Sequence, residues 1–281
     1  MTQAEHLAGH LFVFGMGYTA GHLAQRLRSE GWQVTGTRRN AADGCIAFGN
    51  REAVLAALAD ATHILSSVPP DRDSGDDPVL ANYGEAIAGA NGWAGYISAT
   101  GVYGDVEGAW VDETAPVGSG RRTARAAADL AWQALREDMH VFRLPGIYGP
   151  GRSVLDRLRS GQARSIDKPG QVFSRCHVDD IVSGIVAGFS GPQGVYNLAD
   201  DLPCAQHRVT AYGAQMLGME PPPLQSMEEA GLSSMARKFY SENRRVANGK
   251  AKRVLGWRPE YPTYKHGLRA ICRDDESGKY E

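Results

Sequence analysis

Three arginines, Arg121, Arg122 and Arg125, crowd the start of the segment GSGRRTARAAADLAW at residues 118–132. Apolar residues at Ala127, Leu130, Ala131 and Ala134 predict an amphipathic helix there, with those four on its buried face. A helix N-terminus carries partial positive charge, so cations in its first turns repel the end they occupy unless an anion lies nearby. A guanidinium stays protonated in proteins: it can hold an anion or hydrogen-bond a ribose, but it cannot relay a proton. A second group of residues has the spacing for phosphates. Gly15-Met16-Gly17-Tyr18-Thr19-Ala20 fits G-x-G-x-x-G/A, in which the first glycine permits the turn, the second lets the backbone approach a pyrophosphate, and the last small residue keeps helix and strand close. A third group follows about twenty residues on. A binder of unphosphorylated NAD carries an acid there for the ribose hydroxyls, whereas this chain has Thr37, Arg38 and Arg39, which suit the 2′-phosphate of NADP. The same two arginines also fit a plain solvated strand end.

The elements that must position these groups are legible from periodicity. Leu11 to Phe14 form an apolar run that stops at Gly15, and Ala20, Leu23, Ala24 and Leu27 have the one-face spacing of a helix. Gly31 ends that helix, and Trp32, Val34 and Gly36 alternate as a second strand. Farther along, THILSSVPP (62–70), GWAGYISATGVYGD (92–105) and HVFRLPGIYGPG (140–151) read as strands, with a crossover helix over PVLANYGEAIAGA. Alternating strands and helices predict an α/β fold with a doubly wound parallel sheet and ligands at the carboxyl ends of its strands.

Composition narrows the function classes. The 281 residues carry a formal charge of -2, which gives no global attraction for nucleic acid or anionic membrane. No stretch approaches the ~18 apolar residues that would span a bilayer, and the N-terminal segment has no basic-then-apolar pattern, so a cytoplasmic protein is expected. Cys45, Cys176, Cys204 and Cys272 form no C-x-x-C pair and read as reduced thiols.

SATGVYGD, FRLPGIYGPG, RCHVDDIVSGIVAG, GVYNLADD and AKRVLGWRPEYPTYKHGLRA, in this order between about residues 11 and 270, resemble the extended short-chain dehydrogenase/reductases, the NAD-dependent epimerase/dehydratase family. The glycine motif departs from the family's commoner G-x-x-G-x-x-G and suggests an atypical branch. The resemblance implies an NAD(P)-binding Rossmann domain over residues 1–150. A smaller C-terminal substrate lobe would occupy 151–281, with about 179–200 returning to the Rossmann sheet. It implies NADP, or less readily NAD, held by Gly15, Gly17, Tyr18, Thr19, Ala20, Arg38, Arg39, Ser67, Arg125, Pro145 and Ile147.

In that family a tyrosine and a lysine four positions later share a helix, and the lysine lowers the phenol pKa from about 10. Laying Y-x-x-x-K-x-x-x-E onto RRTARAAAD puts Arg121 at the tyrosine, Arg125 at the lysine and Asp129 at the acid. The family's serine or threonine falls on Ala99, between Ser98 and Thr100, whose hydroxyls aim away from the site unless the strand breaks at Thr100. The Ser-Tyr-Lys triad is thus degenerate, and three outcomes stay open. Chemistry has moved to Thr100, Tyr103 or Tyr148, with Arg121 and Arg125 in supporting roles; or the protein binds cofactor without turnover, as a sensor or scaffold; or the alignment is shifted. His177, Asp179 and Asp180 suggest a metal, but a helix cap before IVSGIVAG accounts for the aspartate, and no metal is expected. By analogy Arg152, Arg175 and Arg245 are candidates to grip the diphosphate of a nucleotide-sugar; they also fit as surface charges. A homodimer through helices near 80–90 and 122–136 is implied.

Overall fold

The computed structural model describes residues 8–118, 120 and 123–276. Its central sheet is built from β1 (His10–Phe14), β2 (Gln33–Arg38), β3 (Ile46–Ala47), β4 (His63–Ser66), β5 (Trp93–Ala99), β7 (His140–Leu144) and β11 (Gly194–Asn197). Across the sheet these seven strands run in the order β11-β7-β5-β4-β1-β2-β3. The β1–β2, β1–β4, β2–β3 and β4–β5 pairings are parallel, with Val13 opposite Gly36 on one side and Leu65 on the other. A parallel sheet needs crossovers, and α1 (Tyr18–Ser29), α2 (Arg51–Ala59), α3 (Pro78–Ala88) and α4 (Thr123–Leu135) supply them. The doubly wound sheet expected from the sequence is the sheet that forms.

The chain forms two compact units. The first comprises residues 1–98, 124–142 and 188–195; the second comprises 99–123, 143–187 and 196–281. Residues 99–123 join the second unit through hydrogen bonds of long sequence separation. Asn243 N donates to Asp105 Oδ1 at 2.7 Å, Arg245 N donates to Ala109 O at 2.9 Å, and β6 (Trp110–Val111) pairs with β13 (Arg245–Val246). These bonds draw residues 99–123 toward the C-terminal segments.

The first unit packs around Phe12, Phe14, Tyr96 and Trp132, all buried. Tyr96 stacks on Trp132 at 5.0 Å and 9° between planes, and Trp132 Nε1 donates to Asp77 Oδ2 at 2.8 Å. The other Asp77 oxygen caps α3 by accepting from Val79 N and Leu80 N. In α4 the sequence expectation is overturned. Leu130 is 50% exposed, and Ala127, Ala131 and Ala134 also face outward, while Ala128, Asp129 and Trp132 are buried. A charged residue can take the inward face because its oxygens are satisfied: Asp129 Oδ2 accepts from Ser98 Oγ at 2.5 Å and Oδ1 from Gln133 Nε2 at 2.7 Å.

The second unit adds β8 (Gly146–Tyr148), α5 (Val154–Arg159), β9 (Ser165–Ile166), β10 (Arg175–His177), α6 (Val178–Ser190), α7 (Gln206–Met216), β12 (Leu224–Gln225), α8 (Ser234–Phe239), α9 (Gly249–Val254) and α10 (Tyr264–Glu276). One of its cores joins Leu155, Val209, Leu268 and Ile271 from α5, α7 and α10. Among the described residues Cys45, Cys176 and Cys204 are thiols outside any disulfide, and no helix is long and apolar enough to cross a membrane.

Candidate functional site

In the first unit, β1 stops at Gly15, whose φ of +83° a side chain would strain. A Cβ there would also meet Val68 Cγ2 at 2.8 Å and Ser67 Oγ at 3.1 Å. The turn is pinned from β2 and β4: Gly15 N donates to Thr37 Oγ1 at 3.1 Å, Met16 N to Thr37 O at 2.8 Å, and Ser67 Oγ donates to Gly15 O. Gly17 then caps α1 with no side-chain hydrogen bond and no acid in the first turn, and a Cβ on it would stand in open space. An uncapped helix start beside an open backbone approach is an anion cradle, and these residues fit the pyrophosphate of a dinucleotide. Thr19 and Ala20 are buried beneath it, and Tyr18 lies half-buried against His22 at 4.7 Å. Arg38, the last residue of β2, and Arg39 directly after it are both exposed. Arg38 Nη1 pairs with Asp43 Oδ2 at 2.7 Å, a solvent-accessible contact worth no more than about 1 kcal/mol that a 2′-phosphate would readily displace.

Arg121 and Arg122 lie outside the described residues. Arg125 is half-buried on α4 and donates from Nη1 to the Tyr96 hydroxyl at 3.1 Å. Burial holds the Tyr96 phenol up at about 12 despite that guanidinium. Tyr96 is 0% exposed, so this tyrosine–arginine pair is an element of the core.

In the second unit, β5 has ended at Ala99 and Thr100 opens a 3-10 turn, Thr100–Tyr103. The strand break that would free the Thr100 hydroxyl is therefore present, and Ala99, Thr100 and Gly101 line a cavity of about 120 Å³. Pro145, Gly146, Phe173, Phe239, Glu242 and Arg244 complete much of its wall. Tyr103 is absent from that wall. It is 1% exposed; its hydroxyl donates to Asn197 Oδ1 at 2.8 Å and accepts from Arg143 Nη1 at 3.0 Å, and Arg143 lies over its ring at 4.9 Å. Burial raises its pKa, while Arg143 and Asn197 pull the other way.

A larger cavity, of about 600 Å³, lies in the same unit and shares Gly146, Phe173, Ser174 and Phe239 with the smaller one. Phe173 and Phe239 stack at 4.7 Å and 9° along this common wall. Among the described residues its charged lining consists of Arg152, Arg157, Arg164 and Arg175, with no carboxylate, alongside Ile147, Tyr148, Tyr240 and Tyr264. Such a wall favours an anion with an apolar or aromatic body. Of the three arginines singled out from sequence, Arg152 and Arg175 are here, whereas Arg245 donates to Gly108 O. Arg157 and Arg164 were not singled out, because SVLDRLRSGQARS has no motif to mark which of its arginines turns inward. Tyr148 has its hydroxyl buried with no hydrogen-bond partner among the described residues. Burial, and then Asp200, push its pKa upward.

HVDD turns out to be a latch. His177 Nδ1 accepts from Asp179 N at 3.3 Å, and Asp180 sits inside α6 rather than capping it. Its Oδ1 accepts from Glu260 N at 2.6 Å and its Oδ2 from Tyr261 N at 3.1 Å, fixing the loop before α10. Burial raises Asp180 from 3.8 to about 7.

No family model matches the chain. A protein described as functionally unknown and conserved, from Silicibacter pomeroyi DSS, is 44% identical; the match covers 95% of this chain and 99% of that one, at a TM-score of 0.84. Protein YeeZ of Escherichia coli (strain K12) is 26% identical over 275 residues, 89% of this chain and 95% of YeeZ. The human epimerase family protein SDR39U1, solved with NADPH, is 18% identical over 94% of this chain and 99% of its own, at a TM-score of 0.75. Several further solved neighbours of the same fold carry NAD.

Proposed function

This chain belongs to one family with the Silicibacter pomeroyi protein and has the fold of the extended short-chain dehydrogenase/reductases, the NAD-dependent epimerase/dehydratase group; on that premise we propose that it is an NADP-dependent oxidoreductase of the epimerase/dehydratase type. The observation that carries the reading is the opening loop: Gly15 at positive φ, Gly17 open to approach, and an α1 start whose N–H groups no side chain caps. Bound nicotinamide would supply or accept hydride. The chain's own residues hold the phosphates at Gly15, Gly17, Tyr18, Thr19 and Ala20, with Ser67 supporting the turn, and grip the 2′-phosphate with Arg38 and Arg39. Arg125, Pro145 and Ile147 complete the cofactor set carried over from the family resemblance. NADPH in the human neighbour favours the phosphorylated cofactor, and NAD in others makes the arginines the deciding feature.

The substrate is a small anionic molecule of nucleotide-sugar type, held in the larger cavity by Arg152, Arg157, Arg164 and Arg175. Ala99, Arg121 and Arg125 stand where serine, tyrosine and lysine are usual, so the proton route differs from that of the family. A second reading, an NADP-binding sensor without turnover, is favoured by one observation: Tyr96 and Tyr103 are both buried in structural contacts, which leaves neither phenol to take the missing role. The protein is cytoplasmic. It forms a homodimer through α3 and the outward apolar stripe of α4, Ala127, Leu130, Ala131 and Ala134, which light scattering checks by mass.

A fluorescence titration with NADPH and NADH tests the cofactor. Binding should favour NADPH by roughly ten- to a hundredfold, the worth of one charge-assisted guanidinium–phosphate contact. The preference should vanish in Arg38→Ala/Arg39→Ala; equal wild-type affinities overturn the NADP reading, and failure to bind either overturns the dinucleotide reading. Turnover across a nucleotide-sugar panel separates enzyme from sensor. Thr100→Ala should lower it, and Tyr103→Phe should lower thermal stability without abolishing it.

A further inference from the structure

We propose that the substrate carries two separate anionic groups: a diphosphate met by the exposed arginines of the larger cavity, and a single carboxylate seated on buried Arg175. The inference rests on the nucleotide-sugar reading above and narrows it to nucleotides whose sugar is acidic. The arginines of that wall are not alike. Arg157 and Arg164 are exposed, and the Arg157 charge is felt at the Tyr240 phenol of the same wall. Arg175, on β10, is only 6% exposed. Among the described residues its guanidinium has no carboxylate within ion-pair range, and its donors meet a sulfur, a carbonyl oxygen and an amide oxygen instead. Nη1 donates to Cys204 Sγ at 3.1 Å, and Nη2 donates to Cys204 O and Gln206 Oε1, each at the long distance of 3.4 Å. The carboxyl within electrostatic reach is Asp200, and burial raises it to about 7, so at neutral pH it offsets the guanidinium only in part. A buried cation without a full counter-charge is costly, and a ligand anion that reaches Arg175 from the cavity removes that cost.

Charge and shape select the kind of anion. One guanidinium balances the one negative charge of a carboxylate, whereas a phosphate monoester dianion would leave a second charge buried near Asp200. The planar fork of a guanidinium also takes the two oxygens of a carboxylate side by side. Gln206 turns its amide oxygen to Arg175, which leaves its amide nitrogen as a further donor in the cavity lining. The Tyr148 hydroxyl, buried and without a hydrogen-bond partner among the described residues, belongs to a side chain of the same lining and feels the Arg175 charge. The diphosphate falls to the exposed side, where long arginine side chains can move to meet it and water screens any mismatch.

Matched pairs of probes test this: glucose against glucuronic acid, each on UDP and on dTDP, which differ by a carboxylate in place of a CH₂OH group. Calorimetric titration of the full chain with NADP present should show the glucuronic acid compound of at least one pair binding about ten- to a hundredfold more tightly, the worth of one charge-assisted contact. Arg175→Gln should abolish that preference and leave the affinity for the glucose compound near that of the wild type, while Arg157→Ala should weaken both members of the pair by the same factor. Since Arg175 is buried, Gln206→Leu serves as a second variant at a half-buried position, and it should shrink the preference several-fold. Equal wild-type affinities within each pair, or a preference undiminished in every variant that folds, overturn the carboxylate assignment and leave the nucleotide-sugar reading standing. Binding of none of the four probes, by protein that binds NADPH, overturns the nucleotide-sugar reading itself.

Discussion

The opening loop and the wall of the two cavities both present polar groups, and they are built in opposite ways. The loop is local. Residues 10–38 form strand, turn, helix and strand, and the polar groups of the turn are mostly backbone N–H donors set by two glycines. The wall is assembled from afar: Arg244 reaches Gly104 across 140 positions, and Gln171 reaches Glu242 across 71. A local cradle can change its ligand contacts with little cost to folding. A wall whose members are also the ties of the second unit cannot, and there binding and stability are coupled.

The pH dependence of stability is the strongest way to break that comparison. Asp200 is 2% exposed, its Oδ2 has no partner among the described residues, and burial raises its pKa from 3.8 to about 7 even though Arg175 pulls the other way. The folded state then binds more protons than the unfolded one between about pH 4 and 7, so stability falls as pH rises through that window and levels off above it. Asp180 has the same sign. Asp200→Asn should stabilise the protein at pH 8 by up to about 4 kcal/mol and flatten the slope, as urea denaturation at pH 5 and pH 8 would show. An unchanged slope would mean that Asp200 titrates in the folded state as it does in the unfolded one.

Glycines sharpen the comparison at smaller scale. A Cβ at Gly267 on α10 would lie 2.2 Å from the Tyr148 hydroxyl and 2.7 Å from its Cε2. Gly267→Ala should therefore cost about 1–3 kcal/mol by overpacking and also reshape the larger cavity, lowering melting temperature and substrate affinity together. Gly15→Ala, strained by its positive φ, should cost a comparable ~1–3 kcal/mol. Gly17→Ala is the contrast, since its φ of -93° is ordinary and its surroundings are open. Stability should stay within about 0.5 kcal/mol of wild type while NADPH affinity drops roughly tenfold or more. Parallel loss of stability and affinity at Gly17 would show that the loop is tied into the fold no less than the wall is.

The same contrast explains what could be read in advance. The glycine loop, α1, its end at Gly31 and the alternation of strands and helices follow from spacings of three, four and two residues, which report local geometry directly. The inward face of α4 was misread because periodicity counts apolar residues. It does not register that Asp129 is welcome inside once Ser98 and Gln133 complete its hydrogen bonds. That the Tyr103 hydroxyl bonds Asn197 and Arg143, 94 and 40 positions away, has no mark in the local sequence.

By itself the sequence determined the parallel α/β sheet and the glycine turn at its first strand. Those features are set by φ preferences and helical and strand periods, which belong to residues and their near neighbours. Only the tertiary structure decided which arginines line a common cavity, which tyrosines are buried beyond use and which carboxyl group shares a cavity wall with Thr100. Such placements depend on contacts between segments far apart in the chain, and the packing of the whole second unit fixes them.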